Sequence, residues 1–125
     1  MKKILAVDDN HDFLFMIKNV LNNFEDDYEI KTVDSATKCL ELLQNDTPNL
    51  ILLDIMMPDI DGFLLFKQIR QINRLKNIPI IFVSATGEIE TIIKAKAVAD
   101  DFLPKPFTAN ELKDKINKNI LKTID

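Results

Sequence analysis

The sequence is poor in the residues that make covalent cross-links and glycine-rich loops. It has one cysteine, Cys39, two glycines and no tryptophan among 125 residues. A single cysteine excludes an intramolecular disulfide and fits a reducing compartment. Because Cys39 lies in a helical pattern with no neighbour that would lower its pKa, we expect a half-buried, unreactive thiol. No glycine-rich turn follows the first strand-like segment, which excludes a dinucleotide-binding fold.

Long apolar runs and an excess of positive charge are also missing. No stretch approaches the roughly 18–20 apolar residues of a membrane span, and the run before Asp8 is too short for a signal-peptide core. The formal net charge of -4 argues against a surface that binds nucleic acid through its phosphates. We therefore expect a cytoplasmic protein with no membrane insertion and no direct nucleic-acid partner. Its length predicts one domain.

The sequence does contain a strict alternation of strand-like and helix-like segments. Short, mostly apolar segments predict strands at 3–7, 28–33, 49–53, 79–83 and 101–104. Helical periodicity follows each of them, at 12–24, after the cap residue Ser35, at 62–71, at 88–98 and after the capping box at 108–111. Since the central strands are apolar on both faces, the pattern predicts an α/β fold whose parallel sheet is covered by helices on both sides.

Helical spacing also predicts which side chains turn toward the sheet. They are Leu14, Ile17, Leu21 and Phe24 in the first helix, Ala36, Leu40 and Leu43 in the second, Ile89, Ile92, Ile93 and Ala97 in the fourth, and Leu112, Ile116 and Ile120 in the fifth.

Polar residues follow the predicted strands where each strand ends. Right-handed crossovers place all of these loops at one edge of the sheet, and the loops carry Asp8, Asp9, Asp54, Ser84 and Lys105. Carboxylates are ligands that Mg²⁺ prefers, and three crowded carboxylates gain from an ion between them. A lysine ammonium suits a phosphoryl oxygen. A carboxylate nucleophile, a metal and a cation together favour phosphoryl transfer to Asp54.

Each of these residues, taken alone, has a simpler explanation. Asp8 and Asp9 could simply be the N-cap residues of a helix, and Asp54 could simply belong to a turn. The prolines on either side of Lys105 could merely end an edge strand. His11, the single histidine, is expected on the surface in the first helical turn, and we assign it neither as a ligand nor as a base. The joint pattern is what favours a site.

Four segments together give the chain a specific resemblance to a known family. They are 7–10, 53–58 with 61–62, 83–85 and 102–107. In residue type and spacing they are similar to the receiver (CheY-like) domain of two-component response regulators, over essentially the whole length. The resemblance implies a (βα)5 flavodoxin-like, doubly wound sheet with strand order 2-1-3-4-5. It also implies that residues 1–125 form a single receiver domain with no effector domain in the chain.

The resemblance implies a phosphorylation-activated switch rather than an enzyme with an external substrate. Asp54 is expected to accept a phosphoryl group from a sensor histidine kinase or a histidine phosphotransfer protein. Lys105 is expected to pair with that group, and Ser84 to turn toward it as the switch hydroxyl. Phe102 matches the switch aromatic, which moves between outward and inward rotamers. The surface of the fourth helix, fifth strand and fifth helix would then change, in a monomer or a phosphorylation-dependent dimer whose downstream target the sequence does not identify.

The resemblance also implies the metal ligands and the backbone around the lysine. Mg²⁺ is expected to bind Asp9, Asp54 and the backbone carbonyl of Met56 directly, and Asp8 through water. The peptide bond between Lys105 and the following proline is expected to be cis.

The chain departs from the family pattern in three places. Val98 stands in place of the usual glycine before the fifth strand, so its turn must have a negative φ. Phe102 lacks the hydroxyl of the commoner tyrosine. Met56 and Thr86 occupy the two variable positions that border the acceptor aspartate, where the bulk of Met56 could obstruct an attacking water.

Two other classes of protein share part of the pattern. A metal-dependent phosphatase with an aspartate nucleophile needs an acid two residues later, where this chain has Met56. A degenerate receiver would act only as a protein-interaction module. For the docking of a kinase, Phe13, Phe15 and Met16 are candidate contacts, although helical spacing also fits Phe13 or Met16 as core residues.

Overall fold

In the part of the chain that the structure describes, five strands alternate with five helices, as the sequence predicts. The computed structural model describes residues 2–23 and 28–120. The strands are β1 (Lys2–Val7), β2 (Tyr28–Val33), β3 (Leu50–Asp54), β4 (Ile80–Ser84) and β5 (Asp101–Pro104). The helices are α1 (His11–Asn22), α2 (Ala36–Leu43), α3 (Gly62–Arg70), α4 (Ile89–Val98) and α5 (Ala109–Ile120), with a short 3-10 helix at Asn73–Leu75 that the sequence did not predict.

The five strands form one sheet with the order β2-β1-β3-β4-β5, and every neighbouring pair is parallel. This confirms the predicted flavodoxin-like, doubly wound sheet. The order reverses between β1 and β3, and the crevice beyond the carboxyl ends of such strands is where open α/β sheets bind ligands. The fold therefore directs attention to the residues that follow Val7 and Leu53, which are paired in the register of these two strands.

The sheet separates two apolar cores because successive side chains of a strand point to opposite faces. Leu5 of β1 belongs to the core under α2, α3 and α4, whereas its neighbour Ile4 belongs to the core under α1 and α5. Cys39 lies in the first core and is fully buried, not half-buried as predicted. Burial raises the pKa of its thiol to about 12, which agrees with the prediction that it is unreactive.

The predicted inner faces of α1 and α5 are confirmed for the described residues. The side chains predicted to face the sheet are buried in both helices: Leu14, Ile17, Leu21, Leu112, Ile116 and Ile120. Phe24 lies outside the described residues. In α2, Leu40 is only half-buried. For α4 the prediction holds only for Ile92, which is half-buried against the core. It is wrong for the other three residues, because Ile89 and Ile93 are 72% and 62% exposed and Ala97 is exposed too.

The face of α4 that packs against the core is instead narrow and consists of a few residues. Ala95 is fully buried, and Ile92 and Ala99 pack beside it. Because α4 has apolar residues on more than one side, periodicity alone could not decide which side faces the sheet.

Two strands reach one residue further than the sequence predicts. Asp54 and Ser84 are the last residues of β3 and β4 rather than the first residues of loops. Their backbones continue the ladder, where Asp54 pairs with Val83 and Ser84 with Pro104. Both side chains are therefore held by the sheet, which is a more rigid support than a loop.

The turn between α4 and β5 has the backbone that the sequence requires. Among residues 2–23 and 28–120 no φ angle is positive, so Val98 has the expected negative φ. In the same part of the chain, no helix combines the length and the apolar character needed to cross a bilayer.

Candidate functional site

Three carboxylates meet at the carboxyl edge of the sheet. Asp8 and Asp9 follow β1, Asp54 ends β3, and one oxygen atom from each lies within 4.8 Å of the others. Asp8 is 2% exposed and Asp54 is 7% exposed, whereas Asp9 lies at the surface. The predicted carboxylate ligands are thus brought together, two of them in a setting where water screens their charge poorly.

Asn10 supplies the local structure that holds Asp8 in place. Its backbone N–H donates to Asp8 Oδ1 at 2.9 Å, and its own side-chain oxygen accepts from the amide of Phe13 at 3.0 Å. The N-cap of α1 is therefore Asn10, and the simpler explanation of Asp8 and Asp9 as capping residues is wrong.

Asp54 is a buried carboxylate whose ionised form is disfavoured. Burial raises its pKa from 3.8 to about 6, and the charges of Asp8 and Asp9 act in the same direction. The charge of Lys105 and the amide of Met56, which donates to Asp54 Oδ1 at 3.3 Å, oppose the rise. A cation beside Asp54 would therefore stabilise the ionised, nucleophilic form.

Gly62 lets the loop after β3 fold tightly against the end of that strand. A Cβ atom at this position would lie 2.4 Å from the carbonyl oxygen of Asp54 and 2.6 Å from the Cα atom of Ile55. The amide of Gly62 donates to the Ile55 carbonyl at 2.8 Å, and Met56 forms an isolated bridge with Asp61. The close approach fixes the loop that carries Met56, whose side chain is 67% exposed.

Lys105 places a positive charge against the carboxylates. Its Nζ atom lies 2.7 Å from Asp8 Oδ2, and its backbone amide donates to the carbonyl of Ser84 at 2.8 Å. The peptide bond from Lys105 to Pro106 is cis, as the resemblance implied. One ammonium group faces three carboxylates, so the cluster keeps an excess of negative charge when all of them are ionised.

Ser84 is fully buried beside this cluster. Its Oγ atom accepts from the amide of Thr86 at 3.3 Å. Among the hydrogen bonds of residues 2–23 and 28–120, none joins Ser84 to a carboxylate of the cluster. The hydroxyl must therefore turn if it is to reach a group on Asp54.

Phe102 is buried, with 4% of its surface exposed, and pairs with Phe82 in the register of β4 and β5. It lines a groove of about 560 Å³ between α4, β5 and α5. This burial agrees with the inward position of the two expected for this side chain.

The remaining residues singled out from the sequence lie around the rim. His11 is exposed and pairs with Asp34 at 2.7 Å instead of joining the carboxylates. Phe15 is 69% exposed and Met16 is 37% exposed, so neither is a core residue.

Phe13 has a position that sequence reasoning missed. It is half-buried, and the Nζ atom of Lys105 lies 3.8 Å from the centre of its ring. The only signal in the sequence was its place in the first helical turn after the acidic pair.

Comparison with known proteins identifies the family that has this fold and this cluster of residues at the carboxyl edge of the sheet. The family model of the response regulator receiver domain matches residues 4–117, and the chain belongs to this family. It is 42% identical to the transcriptional regulatory protein SpaR of Bacillus subtilis, over 96% of this chain and 52% of that protein. It is 40% identical to the transcriptional regulatory protein KdpE of Staphylococcus aureus, over 91% of this chain and 48% of that protein. The chain thus spans about half the length of these relatives.

Solved structures agree with this assignment. A putative response regulator from Chloroflexus aurantiacus superposes with a TM-score of 0.87 at 30% identity, covering 96% of this chain and 98% of the other. The Mn²⁺-bound form of the response regulator Rcp1 superposes with a TM-score of 0.80 at 25% identity, covering 100% and 98%. The chain is therefore a receiver domain of the kind found in two-component signalling.

Proposed function

We propose that this chain is a phosphorylation-activated switch that accepts a phosphoryl group on Asp54. The observation that carries the proposal is the position of Asp54, which is buried at a strand end within 4.8 Å of two further carboxylates. Lys105, which reaches Asp8 at 2.7 Å, adds a cation to the same edge. The arrangement has a carboxylate nucleophile and a positive group for an anionic transition state, as phosphoryl transfer requires.

The carboxylate cluster fits a divalent cation. Its donors are oxygen atoms, as Mg²⁺ prefers, and the raised pKa of Asp54 reflects burial next to uncompensated negative charge. Asp9, Asp54 and the backbone carbonyl of Met56 would hold Mg²⁺, with Asp8 acting through water. When bound, Mg²⁺ would neutralise charge on the transferred phosphoryl group. The Mn²⁺-bound Rcp1 structure supports a cation in this family.

The donor that fits this chemistry is a phosphohistidine on a sensor histidine kinase or a histidine phosphotransfer protein. A carboxylate oxygen of Asp54 attacks phosphorus, the P–N bond breaks, and the electron pair leaves with the imidazole nitrogen. The relatives include the sensor histidine kinase TmoS of Ectopseudomonas mendocina, which is 32% identical over 94% of this chain and 12% of that protein. We also propose that the chain acts in the cytoplasm, as a regulatory domain and not primarily as an enzyme.

The chain's own residues would convert the acyl phosphate into a change of surface. Lys105 moves from Asp8 toward the phosphoryl oxygens. Ser84 gives up the hydrogen bond that it accepts from the amide of Thr86, and its hydroxyl donates a hydrogen bond to a phosphoryl oxygen. Phe102 is already buried, so we propose that phosphorylation favours this inward position over an outward one and thereby biases the α4–β5–α5 surface.

The two rival classes fit the site less well. A degenerate receiver would lack a reactive residue, yet Asp8, Asp9, Asp54, Ser84 and Lys105 all stand at the expected positions. A phosphatase with an aspartate nucleophile would need an acid at position 56, where the chain has an exposed methionine.

The test is the mass of the intact protein after incubation with acetyl phosphate and Mg²⁺. We expect one added phosphoryl group on the wild-type protein and none without Mg²⁺ or in Asp54→Asn. An adduct of equal amount in Asp54→Asn would overturn the choice of acceptor. The absence of any adduct on folded wild-type protein, both with this donor and with a phosphorylated histidine kinase, would favour the degenerate receiver.

A further inference from the structure

Among the residues that the structure describes, the ammonium group of Lys105 contacts one carboxylate and one aromatic ring. Its Nζ atom lies 2.7 Å from Asp8 Oδ2 and 3.8 Å from the centre of the Phe13 ring. Such a cation–ring distance is well inside the range in which the ring face attracts a positive charge. The side chain of Lys105 is only 20% exposed, so water competes weakly with either contact.

Asn10 forms hydrogen bonds with both residues that contact the Lys105 ammonium group. The amide of Asn10 donates to Asp8 Oδ1 at 2.9 Å, and the side chain of Asn10 accepts from the amide of Phe13 at 3.0 Å. The ring of Phe107 also packs against that of Phe13, with ring centres 5.9 Å apart and planes at 89°. The ring beneath Lys105 is therefore held from the helix cap and from the segment that follows the cis peptide bond.

The ring and the carboxylate differ in what they do when negative charge arrives at Asp54. The ion pair with Asp8 must weaken as Lys105 turns toward a phosphoryl oxygen. The ring of Phe13 carries no charge and adds nothing to the repulsion in the cluster, and it can keep its contact with the lysine side chain during that movement.

We propose that Phe13 is a positioning residue for Lys105, which holds the ammonium group beside the acceptor carboxylate before and during phosphoryl transfer. The inference rests on the proposed function. Without the ring, Lys105 would keep Asp8 as a partner but would sample more rotamers, and ordering a long side chain costs conformational entropy at each transfer. The rate of phosphoryl uptake should therefore fall.

Three variants separate this role from ordinary packing. Phe13→Leu keeps an apolar side chain but removes the ring, whereas Phe13→Tyr keeps the ring face. Phe15→Leu makes the same change on the same helix at a residue that is 69% exposed. Its candidate role in kinase docking takes no part in uptake from acetyl phosphate. Urea unfolding first checks that each variant is folded.

The first measurement is the proton chemical shift of the Lys105 ε-methylene group, which a ring face displaces upfield. The second is the initial rate of phosphoryl uptake from acetyl phosphate with Mg²⁺, followed by intact mass because the chain has no tryptophan to report it.

We expect Phe13→Leu to abolish the upfield shift and to slow phosphoryl uptake by about three- to tenfold. Phe13→Tyr should restore both, and Phe15→Leu should stay within about twofold of the wild-type rate. A wild-type Lys105 resonance without the upfield shift would overturn the inference. So would a Phe13→Leu rate equal to that of wild type, a Phe13→Tyr rate as low as that of Phe13→Leu, or an equal loss in Phe15→Leu.

Failure of the proposed function is recognised separately. If the wild-type protein takes up no phosphoryl group while the Lys105 resonance is shifted as expected, the proposed function is wrong. The inference, which rests on that function, is then wrong as well. In that case the contact between Phe13 and Lys105 is present, so the position of Phe13 does not explain the missing phosphoryl uptake. If the wild-type protein is phosphorylated and only the variant results disagree, the inference alone is wrong.

Discussion

Lys105 and Asp8 form an ion pair at 2.7 Å across 97 positions of sequence, joining the segment after β5 to the end of β1. Asp8 is 2% exposed and thus depends on this partner and on the amide of Asn10 for its polar contacts. A buried carboxylate that loses its cation keeps the cost of desolvation without the compensating attraction. The pair therefore matters for the stability of the metal-free fold as well as for chemistry.

Replacing Lys105 with methionine should destabilise the metal-free protein. We expect the free energy of unfolding to fall by about 1–3 kcal/mol at neutral pH, because Asp8 is left buried without its cation. Urea unfolding in EDTA measures the difference. The matched control is Lys3→Met, which breaks the exposed pair with Asp46 at 3.2 Å and should cost less than about 1 kcal/mol. Equal losses in the two variants would contradict the prediction.

Asp54→Asn should stabilise the metal-free protein in a pH-dependent way. The pKa of Asp54 is raised from 3.8 to about 6, mainly by burial and then by the charge of Asp8. The raised pKa means that protonated Asp54 stabilises the fold. This stabilisation is fully present below pH 3.8 and is lost as the pH rises through about 6. The variant cannot ionise, so we expect it to be about 1–2 kcal/mol more stable than wild type at about pH 7.5, after allowing for partial contact with solvent.

The measurement for Asp54→Asn is urea unfolding in EDTA at several pH values between about 4 and 8. The advantage of the variant should vanish toward pH 4, where both proteins are uncharged at this position. Adding Mg²⁺ at neutral pH should reduce the advantage, because the variant lacks a charged ligand. An advantage of the same size at every pH would show that packing rather than ionisation causes it.

Asp101→Asn should lower the free energy of unfolding, which is the opposite of the effect expected for Asp54→Asn. Burial raises the pKa of Asp101, but hydrogen bonds from Lys115 and Asn119 outweigh it, and the net pKa is lowered from 3.8. Its ionised form therefore adds stability above about pH 4, and this is lost as the pH falls through the lowered folded value. We expect the variant to lose about 1 kcal/mol at neutral pH and progressively less below pH 4, measured by the same urea series. A loss that persists unchanged in acid would contradict the assignment.

The parts of this structure that sequence could predict are those fixed by local pattern. The five strands follow from apolar segments, and the meeting of Asp8, Asp54 and Lys105 follows from the rule that parallel strands end at one edge. The inner face of α4 could not be predicted, since apolar residues such as Ile93 lie on more than one side of that helix. The contact of Phe13 with Lys105 depends on how α1 lies against the loop after β5, which no local pattern records.

Gly62→Ala should strongly destabilise the fold and disturb the site. The three atoms nearest to the added Cβ atom all belong to the backbone, with the Asp54 carbonyl oxygen at 2.4 Å and the Cα atom of Ile55 at 2.6 Å. The movement of a flexible side chain therefore cannot relieve these contacts. We expect a loss of about 2–3 kcal/mol in urea unfolding and weaker Mg²⁺ binding, since the loop carrying Met56 must shift. Gly87→Ala is the matched control, because nothing lies within 4 Å of its added Cβ atom and its φ is not positive. It should be neutral or stabilising by up to about 1 kcal/mol. If the two variants proved equally stable, the close approach at Gly62 would not constrain the loop.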